Sequence, residues 1–130
     1  TCALPILMQV PQVERSVTPE AVACTQVIKR EDSEPYQDTP GAEILVLGDS
    51  FMRIYQQDAP GSAGFIAHLA RELRQPLISL INDGGGATLA REELQGRPAF
   101  LKGRKIVLWE FVERDLRFGT EGWQRVKLPD

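Results

Sequence analysis

The sequence predicts an α/β fold: three layers, α/β/α, around a parallel sheet of the flavodoxin-like kind. Three observations carry this. Short, continuous apolar runs recur with starts roughly thirty residues apart, which is how strands buried on both faces read. The stretch after the first run carries helical periodicity, so the order is β-α-β-α-β with room for right-handed crossovers. Each run ends on residues more polar or richer in Gly than the run itself. A boundary falls at Gly41, dividing an irregular segment, 1–42, from an α/β domain, 43–130.

Taken in order, Pro5, Pro11, Pro19, Pro35 and Pro40 interrupt the first segment. Thr18-Pro19-Glu20 resembles a helix start and predicts a short helix over 19–30. The polar stretch Arg30–Gly41 predicts an exposed loop. Ile44-Leu45-Val46-Leu47, closed by Gly48, predicts the first strand. Over 62–75, Phe65, Ile66, Leu69, Ala70 and Leu73 share one helical stripe, and Pro76 stops the helix. Leu77–Ile81 is the second strand. Asp83 to Thr88 is a tight loop, with Thr88 as cap of a helix over 88–95 that closes near Gly96. Pro98–Gly103 is a short, partly helical connection. Lys105–Trp109, extending toward Phe111, is the third strand, and Glu113–Asp130 shows no clear period. Three strands make a thin sheet, since ~4–6 are usual. With a first residue that is not Met, this points to a portion of a longer polypeptide.

Several functions are excluded by composition. The 130 residues carry a formal net charge of −3, so a general electrostatic grip on nucleic acid is not expected. No apolar run reaches the ~20 residues of a membrane span. Two cysteines, Cys2 and Cys24, cannot make a four-Cys zinc site, and they fit a disulfide or two thiols equally well. No metal or cofactor is expected. His68 is the only histidine and Asn82 the only asparagine, so no mechanism needing several imidazoles can run on this chain.

Ligands of open parallel sheets bind beyond the carboxyl ends of the strands. Three strand ends are therefore candidates: Gly48-Asp49-Ser50, Asn82 to Thr88, and Glu110 to Arg114. Ser50 follows the first strand without a spacer, in the exposed position a nucleophilic hydroxyl needs, beside backbone N–H groups that suit an oxyanion. A turn in which Ser50 merely caps the next helix explains the tripeptide about as well. Gly84, Gly85 and Gly86 suit an oxyanion hole or an anion site at a helix start. For glycines alone, a flexible connection is the better reading. Neither G-x-x-x-x-G-K-[ST] nor a strand-linked G-x-G-x-x-G is present, which leaves a nucleotide site weak. Asp49, Asn82, Asp83, Trp109, Glu110 and Arg114 are candidate cleft residues. A surface Glu110–Arg114 ion pair is favoured over a pair bordering a cleft. His68 lies mid-helix and reads as a half-exposed helical histidine rather than a base for Ser50. Arg71, Glu72 and Arg74 read as a solvated face.

The segments ILVLGDSF, GFIAHLARELRQP, NDGGGATLARE and GRKIVLWEFVERDL, with Trp123, resemble the SGNH-hydrolase-like domain of the alginate O-acetylation proteins of the AlgX/AlgJ type, over about residues 43–124. The resemblance implies a Ser nucleophile at Ser50. It implies an oxyanion hole from the backbone of Ser50 and a Gly of the Gly84–Gly86 run. It further implies acetyl transfer to, or hydrolysis from, a bacterial exopolysaccharide in the periplasm. The partners would be an acetyl donor and other envelope polysaccharide-biosynthesis proteins. The chain departs from the family pattern in two ways. No His follows His68, and no Asp-x-His precedes Ser50; the oxyanion Asn of the family is replaced by Trp109-Glu110-Phe111. Either Asp-x-His lies upstream in a longer protein, the favoured explanation, or the domain is a non-catalytic carbohydrate-binding or scaffold module. In the second case Trp109, Trp123, Tyr36 and Tyr55 would be stacking surfaces.

Overall fold

The computed structural model describes residues 21–84, 86–117 and 123–128. Strand β1 (Ile44–Gly48) leads directly into a one-turn helix, α1 (Ser50–Arg53). Helix α2 (Phe65–Leu73), strand β2 (Leu77–Ile81), helix α3 (Gly86–Gly96), a 3-10 turn (Pro98–Phe100), strand β3 (Ile106–Trp109) and the short helix α4 (Glu113–Arg117) follow. The sheet order is β2-β1-β3 and both pairings are parallel. In register, Leu47 of β1 lies opposite Leu80 and Trp109. The expected α/β architecture is therefore present as a small three-stranded parallel sheet flanked by helices.

Alternation along β1 sets the layers. Val46 points into a cluster with Met52, Ile66, Ala70 and Leu77, which seats α2 on one face. Leu45 and Leu47 point the other way, into Leu80 and Leu94, which seats α3 on the opposite face. The first crossover carries the chain from β1 to β2. The second carries it back past β1 to β3, so it covers the other side of the sheet, as right-handed connections require.

Local chemistry explains the element ends. The N-cap of α2 is Gly64, which has no side chain to offer; Gln56 Oε1 accepts from Ala67 N at 3.0 Å instead. Gly64 itself must be glycine, because a Cβ there would lie 2.7 Å from the Gln56 backbone nitrogen. Arg74 ends α2 in the left-handed conformation, φ 52°, its N–H turned back to the Ala70 and Arg71 carbonyls. Pro76 follows too late to be the direct stop.

The helix expected over 19–30 does not form within its described part, residues 21–30. The backbone there bonds non-locally: Val27 N donates to Ser62 O, and Tyr36 N donates to Val27 O, each at 2.8 Å. Residues 19 and 20 lie outside the described residues. The next stretch is anchored to β2. Thr39 N donates to Leu77 O at 2.8 Å, Tyr36 Oη contacts both the Leu77 carbonyl and its N–H, and Asp38 Oδ2 accepts from Ser79 N at 2.7 Å. The outer edge of β2 is covered in this way. The outer edge of β3 has no backbone partner among the described residues, and Ile106 and Val107 on it are 55% and 46% exposed. Thr88 does not cap α3; the helix starts at Gly86, and Ala87 N is capped by Asp115 Oδ2 at 2.9 Å. The expectation of no period after Glu113 missed α4.

Candidate functional site

The three strand ends converge through backbone hydrogen bonds. Asn82 N donates to Gly48 O at 3.0 Å and Glu110 N donates to Leu47 O at 2.8 Å. The chain leaves β1 for β2 over one face of the sheet and returns from β2 to β3 over the other, so the crevice beyond the ends of β1 and β3 lies where the connections change sides, as at a topological switch point. Ser50 sits there.

Asp49 is 4% exposed and caps α1, with Oδ1 accepting from Phe51 N at 2.8 Å. Its own N–H donates to Glu110 Oε2 at 3.2 Å, tying the turn after β1 to the end of β3. Ser50 is partly exposed. Among the described residues, neither its hydroxyl nor its backbone N–H has a hydrogen-bond partner. Burial pushes the Glu110 carboxyl above its usual range, and the nearby Asp49 carboxyl pushes the same way, against the stabilising Asp49 N–H.

Beside this turn lies an open groove of about 370 Å³, lined by Phe51, Met52, Phe65, Leu108, Trp109 and Glu110. Phe51 and Phe65 are 52% and 51% exposed. Its only ionisable wall is Glu110. Phe51, Met52, Phe65 and Leu108 were not legible as site residues. The one available signal was an aromatic directly after Gly-Asp-Ser.

The remaining candidates are distributed differently. Asn82 and Asp83 are used structurally: Asn82 Nδ2 donates to Glu93 Oε2 at 2.6 Å on α3, and Asp83 Oδ2 lies 2.9 Å from Arg53 Nε at the end of α1. Arg53 also pairs with Asp58. The Asp83–Arg53 pairing, absent from the sequence reading, ties the loop after β2 to α1. Gly84 adopts φ +88° and is exposed. Gly86 begins α3, and Gly85 lies outside the described residues. No Glu110–Arg114 pair forms. Glu110 turns to the Asp49 N–H, and Arg114 is exposed on α4 without an ion pair among the described residues. His68 Nε2 lies 3.0 Å from the Thr25 carbonyl, so its ring is engaged with the segment before β1.

Trp109, Phe111 and Trp123 pack on one another with ring centres 5.1–5.3 Å apart. The Arg91 guanidinium stacks on Trp109 and Trp123, at 5.5 and 5.3 Å from their ring centres. Trp123 Nε1 donates to Asp115 O at 2.7 Å. These rings bind one another more than they face outward, and Tyr36 is spent on β2. Cys24 is a thiol; Cys2 lies outside the described residues. Among the described residues no three His, Cys, Asp or Glu side chains are grouped to hold a metal ion, and no helix is long and apolar enough to cross a membrane.

No protein-family model matches the chain, and neither a curated protein nor a solved structure matches it.

Proposed function

We propose that the chain is an SGNH-like acyl-serine domain, an O-acyl transferase or esterase with Ser50 as nucleophile. The observation that supports this is a serine at the β1–β3 switch point whose hydroxyl and backbone N–H have no hydrogen-bond partner among the described residues, beside an open groove. Ser50 Oγ attacks the ester carbonyl carbon, and the carbonyl electron pair moves to oxygen. The Ser50 N–H, with an N–H of the Gly84–Gly86 loop, stabilises that oxyanion. Collapse breaks the bond to the leaving alkoxide, which takes up a proton, and leaves an acyl-serine. A sugar hydroxyl or water then releases the acyl group. His68 is engaged with Thr25, so the base that takes the Ser50 proton is an Asp–His pair from outside these residues. By resemblance, the acyl group is acetyl, the substrate is a bacterial exopolysaccharide and the setting is the periplasm, with an acetyl donor and other polysaccharide-biosynthesis proteins as partners.

The test is intact-mass analysis after treatment with a sulfonyl fluoride, with and without added imidazole as a substitute base. One adduct, faster with imidazole and missing in Ser50→Ala, is the expected result. An adduct that persists in Ser50→Ala, or no adduct under either condition, overturns the proposal.

A further inference from the structure

We infer that Arg53 is a positioning residue for the reaction at Ser50. Its guanidinium holds Asp83, and so sets where the Asp83–Gly84 peptide stands relative to the turn that carries the serine. The inference rests on the acyl-serine reading for what that placement is for, and on contacts alone for the tie itself.

Arg53 ends α1, in the same helical turn as Ser50, so the two move together. Its carbonyl accepts from Gln56 N and Gln57 N, each at 3.0 Å. Its side chain, only 27% exposed, reaches two carboxylates from different loops. It pairs with Asp58 in the loop after α1, and its Nε lies 2.9 Å from Asp83 Oδ2 in the loop after β2. The second contact is ionic rather than directional, since the buried Nε makes no hydrogen bond. A guanidinium this far out of water is costly unless paired. One end of the tie is therefore fixed.

The other end depends on it. Asn82 is anchored to Gly48 O and to Glu93, and α3 starts at Gly86. Between these anchors, Gly84 is exposed at φ +88°, and a Cβ on it would meet nothing within 4 Å. Among the described residues it makes no backbone hydrogen bond, and the Arg53 contact is what holds Asp83. The Gly84 N–H belongs to the peptide that Asp83 leads into, and it is one of the donors proposed for the oxyanion. Such a donor acts at ~2.7–3.1 Å from the oxygen, so a loop free to wander loses it with the fold intact. An ion pair to a half-exposed carboxylate adds little to global stability; its effect falls on the place of one peptide.

Two measurements test this, and they fail separately. The first is the NMR order parameter of the Gly84 amide in the intact chain. It should be about 0.85 in the parent and below about 0.6 in Asp83→Asn, which keeps the shape and removes the charge. Asp83→Glu keeps the charge and should restore order. Both variants should melt within about 4 °C of the parent. Arg53→Ala is the poorer probe, since it also strips Asp58 of its partner. Unchanged order in Asp83→Asn overturns the tie whatever Ser50 does.

The second is Ser50 labelling by a sulfonyl fluoride with added imidazole, split into affinity for the reagent and maximal rate. Ser50 Oγ bonds to sulfur, fluoride leaves with the bonding pair, and the serine proton passes to imidazole. Asp83→Asn should lower the maximal rate about tenfold with affinity within about twofold, and Asp83→Glu should recover most of the loss. A maximal rate that stays at the parent's while Gly84 loosens, or that falls only in step with the melting temperature, overturns the positioning role. No Ser50 adduct in the parent overturns the acyl-serine reading, and with it the role in the reaction, while the tie stands or falls on the order parameter.

Discussion

Gly48→Ala tests the tightest point of the switch. Gly48 is the last residue of β1, and a Cβ there would lie 2.3 Å from Met52 Cγ, 2.7 Å from Met52 Cβ and 3.4 Å from Glu110 Oε2. Carbon atoms rest at ~3.5–4.0 Å. Rotating the Met52 side chain removes the first contact and leaves the second, because Met52 Cβ is fixed by the backbone of α1. Met52 is also buried among Val46, Ile66, Ala70 and Leu77, so no empty volume receives it. Helix α1 must therefore move by about 1 Å, which strains the Asp49 N–H···Glu110 bond. Overpacking of this kind costs ~1–3 kcal/mol, and a weakened hydrogen bond adds ~0.5–1 kcal/mol. Together these predict a loss of about 3 kcal/mol. With a urea slope of ~2 kcal/mol/M, the midpoint falls by roughly 1.5 M. Gly96→Ala at the end of α3 is the control: a Cβ there meets nothing within 4 Å, and the midpoint should stay within about 0.3 M. If Gly48→Ala matches that control at an unchanged slope, the argument for a fixed turn is wrong. Sulfonyl-fluoride labelling of Ser50 should fall in Gly48→Ala as well, since the turn that presents the hydroxyl has moved.

Other outcomes follow from single contacts. Ser50→Ala should leave stability within about 0.5 kcal/mol in chemical denaturation, because the hydroxyl has no partner among the described residues. The Glu110 carboxyl is raised above its usual range in the folded chain, so its contribution is fully present at pH values below the unfolded pKa and is lost as pH rises through the folded one. Glu110→Gln keeps an acceptor for Asp49 N, and its urea midpoint should therefore gain on the parent as the pH rises above the ordinary carboxylate range; a constant gap refutes this. Asp115→Ala removes the cap on Ala87 N and should cost about 1 kcal/mol, a fall of ~3–5 °C in Tm by differential scanning calorimetry. Tyr36→Phe deletes two hydrogen bonds to Leu77 and should cost about 1–2 kcal/mol, whereas an unchanged melting curve would mean that water replaces the phenol at that edge.

The strands were legible because a parallel strand buried on both faces reads as a run of apolar residues: Ile44–Leu47 is unbroken, and Leu77–Ile81 is interrupted only by Ser79, whose N–H and hydroxyl both donate to Asp38. Helix α2 was legible from a single stripe. Helix 19–30 was misread because Thr18-Pro19-Glu20 is a local start signal, while the Val27 backbone bonds to Tyr36 and to the distant Ser62 rather than within a helical turn. Helix α4, five residues long, is too short to show a period. At the candidate site, position was legible and partnership was not. Asp49, Ser50 and Glu110 were found because strand ends carry chemistry. That Glu110 would accept from Asp49 N depends on the β1–β3 register, which places Leu47 opposite Trp109. Asn82 and Asp83 were likewise placed at the correct edge but paired with Glu93 and Arg53, residues that no short-range pattern links to them.

The two margins of the sheet differ in a way that gives it a direction. Beside β2, Tyr36, Asp38 and Thr39 already occupy backbone and side-chain positions on the strand. Beside β3, Ile106 and Val107 face water and the backbone is bare among the described residues. Among the described residues, then, only the β3 margin is open to a further strand. A concentrated preparation of the folded chain should polymerise outward from residues 106–109 rather than from 77–81. A lysine at position 107 is the gatekeeper such a margin calls for.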